Sequence, residues 1–141
     1  MALLRFRNAA LLHAAITLFW LQLEDNHILP VVLVGTVWAA LLAFHWLRRA
    51  RFGAGLRGWL VTAFAGGLWG ALAAVITALL MVLKAGMHGH VNPDFLPGQI
   101  LAMLGLTPLW ALAGALVVVG GLALRRAGGA NGTEPQDADR A

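Results

Sequence analysis

Charge is spaced so that four long stretches of the chain carry none of it. Residues 8–23, 28–47, 59–83 and 99–124 contain no Asp, Glu, Lys or Arg. A spanning helix needs about 20 apolar residues to cross the hydrocarbon core of a bilayer. Three of the runs reach that length, and the first comes close and can extend through its flanks. The pattern predicts an all-α membrane protein with four transmembrane helices arranged as two antiparallel hairpins. The transmembrane domain is expected over residues 1–126, and the small, polar segment 127–141 is expected to be a disordered cytoplasmic tail.

The breaks between runs define the hairpins. Glu24-Asp25-Asn26-His27 is a short polar turn, and Pro30 sits in the first turn of the second span, where a missing N–H costs little. Leu21-Gln22-Leu23-Glu24 offers no small-x-small cleavage site, so the first span is expected to be retained. The longer connection from Lys84 to Gly98 is rich in Gly and Pro and is expected to leave regular helix. It is also expected to be ordered, with Phe95 entering the interface and polar groups covering the helix ends. Within the fourth run, Thr107-Pro108 predicts a bend that frees the carbonyl near Leu104.

Arginine sets the orientation. Arg5 and Arg7 precede the first run, Arg48, Arg49, Arg51 and Arg57 separate the second from the third, and Arg125 and Arg126 follow the fourth. The other two connections contain only Lys84 as a cation. The positive-inside rule therefore places both termini in the cytoplasm. Arg48, Arg49, Arg51 and Arg57 are expected to meet anionic lipid headgroups rather than nucleic acid, although the net charge is +4. The preference for Arg over Lys fits a GC-rich bacterial genome, hence a bacterial inner membrane.

Small residues suggest how the helices associate. Ala63, Gly67 and Ala71 form one line on the third span, and Gly66, Gly70 and Ala74 form the next. The fourth carries Gly105, Ala111, Gly114, Gly120 and Gly121, so the third and fourth spans are expected to form the tight pair. Trp20, Trp46 and Trp59 fall at span ends, as interfacial anchors do. Trp38, Trp69 and Trp110 fall near mid-depth, where they either pack between helices or face a lipophilic ligand such as a quinone or pigment.

Composition removes several kinds of chemistry. Hydrophobic residues make up 60% of the chain and mean hydropathy is +0.79, too apolar for a soluble domain of 141 residues. There is no Cys, Ser or Tyr, which excludes the common side-chain nucleophiles. A coupled transporter keeps an ionisable relay inside the membrane, yet the four runs offer only His13 and His45. These two lie on the cytoplasmic half, where they could approach a haem or chlorin or simply bond neighbouring helices. On the outer side, His27, His88, His90 and Asp94 could together hold a metal, or could separately bond the loop backbone.

The expectation is thus a small polytopic inner-membrane protein that is not an enzyme. It is expected to act as an accessory, assembly or stabilising subunit among other membrane protein subunits. The alternative is a binding protein, for a metal at the outer histidines or a lipophilic cofactor within the bundle. No cofactor is identified by the residues.

Overall fold

The computed structural model of the chain describes residues 2–23, 27–47, 55–87 and 93–130. Among these residues every regular element is helical: α1 (Ala2–Leu21), α2 (Ile28–Leu47), α3 (Gly55–Met87), α4 (Pro97–Gly105) and α5 (Thr107–Ala130). Three helices, α2, α3 and α5, are long and apolar enough to cross a membrane, whereas α1 contributes a shorter apolar stretch, Phe6–Leu21. α2 coincides with the expected second run. α3 extends four residues beyond the third run at each end and reaches Met87. Lys84 is therefore part of a helix and not of the connection that follows. α5 likewise continues as helix to Ala130, into the segment expected to be tail.

The fourth run is two helices. Pro108 has no N–H, so the Leu104 carbonyl loses the partner four residues ahead. α4 closes at Leu106, whose N–H is shared between the Ala102 and Met103 carbonyls, each at 3.2 Å. The Thr107 hydroxyl then donates to the Leu104 carbonyl at 2.6 Å. The expected interruption is present, and the neighbouring side chain satisfies the orphaned oxygen. Thr107→Val should cost about 1–3 kcal/mol, the penalty for an unmade bond in an apolar setting. In a Pro108→Ala background the same change should be nearly silent, because the backbone N–H is restored. Unfolding free energies in bicelles check this pair, and equal costs in both backgrounds would refute it.

α3 is the centre of the packing. Its most extensive partner is α5, followed by α2; α4 also lies against α3, and α1 packs on α2. Contacts across each pair show the directions. Phe6 meets His45 and His13 meets Trp38, so α1 and α2 run antiparallel. The buried stripe of α3 follows helical spacing through Gly58, Thr62, Gly66, Ala73, Thr77, Met81 and Lys84, with half-buried Gly70 between Gly66 and Ala73. Small side chains along this stripe let two neighbours approach. A Cβ on Gly35 of α2 would collide with the Thr77 hydroxyl. A Cβ on Gly66 would lie 2.6 Å from the Gly114 carbonyl, and one on Gly70 would strike the Trp110 carbonyl. The expected α3–α5 pairing is thus observed through Gly66, Gly70 and Gly114, while Gly105, Gly120 and Gly121 face open space.

The row closes at one end. Trp20 and Leu21 of α1, Val31 of α2, Met81 of α3 and Met103 of α4 share an apolar cluster with Phe95. Phe95 is 1% exposed, so the described part of the last connection folds back onto the helices as expected. Trp20 departs from expectation. It is 6% exposed and belongs to this cluster, whereas Trp46 at the opposite end is well exposed, as an anchor should be.

Candidate functional site

One group of buried polar residues gathers between α1 and α2, while Thr62, Thr77 and Lys84 are buried along α3. His13 is buried, and its Nε2 lies 3.1 Å from the Val34 carbonyl of α2. A carbonyl only accepts, so Nε2 carries the proton in this arrangement. One turn further along α1, the Thr17 hydroxyl donates to the His13 carbonyl at 2.8 Å. The same hydroxyl accepts the Trp38 indole N–H at 3.0 Å. The His13 and Trp38 rings face each other at 5.1 Å between centroids. Interhelical bonds of this kind contribute about 0.6 kcal/mol each in a bilayer. Of the two uses considered for His13, the bond to a neighbouring helix is the one seen.

His45 stands apart from this cluster, toward the arginine-bearing end of α2. Its ring packs 4.9 Å from that of Phe6, and Phe6 also stacks on Phe44 at 6.4 Å. A groove of about 420 Å³ opens here, lined by Phe6, Arg7, Ala10, Ala14, Trp38 and His45. His13 is not among its lining residues, so the two histidines do not share a cavity wall.

A second groove, of about 390 Å³, runs between α2, α3 and α5. Trp69 and Trp110 line it, and Ala39, Ala43, Gly70 and Ala113 form much of its wall. The three mid-depth tryptophans therefore divide. Trp38 belongs to the α1–α2 cluster, and Trp69 and Trp110 to a separate apolar trough. Thr36, its one hydroxyl-bearing lining residue, donates to the Val32 carbonyl of its own helix at 2.7 Å.

At the closed end sits a residue that the pattern of runs set outside the membrane. Lys84 is 0% exposed, and its Nζ lies 4.2 Å from the centre of the Trp20 ring. A desolvated contact of this type is worth about 2 kcal/mol. The signal that could have found it is the helix-compatible stretch Lys84-Ala85-Gly86-Met87, which continues the 3.6-residue stripe of α3. Thr17 and Phe6 were also missed, since each acquires a role only from its partner on α2.

The outer histidines are placed only in part. His27 is exposed and Asp94 is half-buried, whereas His88 and His90 lie outside the described residues. Among the described residues, no three His, Cys, Asp or Glu side chains gather around a metal-sized gap. Of the arginines expected at lipid headgroups, Arg57 is exposed at the start of α3, and Arg48, Arg49 and Arg51 lie outside the described residues. Arg126 of α5 lies 4.6 Å over the Trp59 ring of α3, which pins the arginine-bearing ends of these two helices together.

Comparison of the chain with protein-family models, curated proteins and solved structures finds no match.

Proposed function

We propose that this chain is a non-catalytic accessory, assembly or stabilising subunit of a larger membrane complex, inserted as four spans with both termini in the cytoplasm. The observation that carries the reading is the trough between α2, α3 and α5. Its Ala and Gly wall lets another helix bring its backbone close, which is how helices adhere where lipid removes the hydrophobic gain. Beside it, α5 presents Leu109, Leu112, Leu116 and Val117, all strongly exposed. The topology is supported by the distribution of charge. Phe6 meets His45 and Trp59 meets Arg126, which puts Arg7, Arg57 and Arg126 at one end of the row, while Lys84 and Asp94 lie at the other.

Two experiments test the parts separately. Reporters fused at residues 26 and 92 should read the outer side, and those fused after residues 53 and 130 the cytoplasm. A cytoplasmic reading at residue 92 overturns the four-span topology. For the subunit reading, the chain extracted in mild detergent should retain a stoichiometric membrane partner. Ala40→Leu and Ala113→Leu, which fill the trough, should release it without loss of the chain itself. Partner retention unaffected by both substitutions removes this surface as the contact.

A lipophilic cofactor is the second reading, and one observation favours it. Trp69 and Trp110 line the same trough, where their indole N–H groups could meet the carbonyls of a quinone or pigment. An absorption spectrum and solvent extract of the purified chain decide between ring and helix.

A further inference from the structure

The groove between α1 and α2 has its polarity concentrated at one end. At the mouth stand Arg7 and His45; inward, the lining is Phe6, Ala10, Leu11, Ala14 and the Trp38 ring. The deep donors nearby are already engaged, since the Trp38 indole bonds Thr17 and His13 bonds the Val34 carbonyl. The interior therefore offers hydrocarbon contact and the mouth offers positive charge. From Arg7 to Ala14 the groove follows seven residues of α1, about 10 Å along the axis, enough for the upper half of an acyl chain. Among the described residues the one carboxylate, Asp94, lies at the far end of the row from Arg7.

From this geometry we propose that the α1–α2 groove binds one acidic phospholipid, its phosphate between Arg7 and His45 and one acyl chain along Ala10 and Ala14 toward Trp38. Arg presents a planar fork matched to phosphate oxygens, and the His45 ring adds a second donor held in place by Phe6. The occupant is a lipid and not a free anion, because the apolar length of the groove has no other use for a phosphate ligand. The site is separate from the trough between α2, α3 and α5, and rests on membrane residence alone.

The test is native mass spectrometry of the full chain released from nanodiscs of phosphatidylcholine with a minor fraction of phosphatidylglycerol. One phosphatidylglycerol should be retained per chain in preference to phosphatidylcholine. Arg7→Gln should lower retention about fivefold, from about 1 kcal/mol per Arg at an anionic surface, and His45→Phe, which removes a neutral donor, by less. Arg125→Gln, an equal loss of charge on the exposed face of α5 at the same end, should leave it unchanged. Ala14→Phe keeps the charges and fills the groove, and should also abolish retention. If that variant fails to assemble, quenching of Trp38 by lipids brominated on the acyl chain supplies the same information, with Trp38→Phe as the blank. Excess inorganic phosphate should not displace the lipid. Equal retention of the two lipids, an Arg125→Gln effect as large as that of Arg7→Gln, or displacement by phosphate overturns the proposal.

Discussion

Gly70→Ala should loosen the α3–α5 pair by about 2–3 kcal/mol, and Gly70→Val by more. The added Cβ meets the Trp110 carbonyl oxygen and lies 2.8 Å from its carbon. Backbone atoms cannot rotate aside as a flexible side chain would, so the two helices have to separate and lose the surrounding contacts. Gly114 faces the same constraint from the other side, with the Gly66 carbonyl and the Gly70 backbone in the way. Gly120→Ala is the matched control, because a Cβ there meets nothing within 4 Å. It should be neutral, or stabilising by up to about 1 kcal/mol through helix propensity. Unfolding free energies of the two variants in bicelles make the comparison, and similar values for Gly70→Ala and Gly120→Ala would show that the crossing is not as close as described.

Lys84→Met should destabilise the closed end by about 2 kcal/mol while preserving most of the side-chain volume. The loss includes the contact between Nζ and the Trp20 face, which joins α1 to α3 where no extensive backbone contact does. Trp20→Leu should cost more on its own, since it also removes apolar area from the cluster around Phe95. The decisive quantity is the coupling in the double variant. The Lys84→Met cost should shrink once Trp20 is gone. Additive costs, within about 0.3–0.5 kcal/mol, would show that the ring contact contributes nothing to holding the cation.

Helix existence was readable from the sequence because spans are specified by long apolar runs that tolerate no charge. The pairing of α3 with α5 was readable for a related reason: glycine at helical spacing has few uses except close approach. Pro108 announced its own interruption through a missing N–H. Lys84 and Trp20 are buried where the sequence suggests a span edge, because a charge and an indole near the end of an apolar run resemble interfacial residues. A buried aromatic face can hold an ammonium within the helix, and nothing in the order of residues reveals that partner. The α1–α2 cluster was only half legible. His13 was noticed as an ionisable group, but its bond is to a backbone carbonyl, which every residue possesses and no residue type advertises. The two grooves follow from the order in which helices pack, and that order depends on side-chain fit more than on patterning.

α3 has a consequence that reaches beyond its contacts. Its 33 residues measure about 50 Å, and the charge-free part over residues 59–83 about 37 Å, against a hydrocarbon core near 30 Å. An overlong apolar rod accommodates by leaning. Because α2 and α5 are fastened to it through glycine crossings, whatever adjustment a thinner bilayer demands of α3 is shared by all three helices.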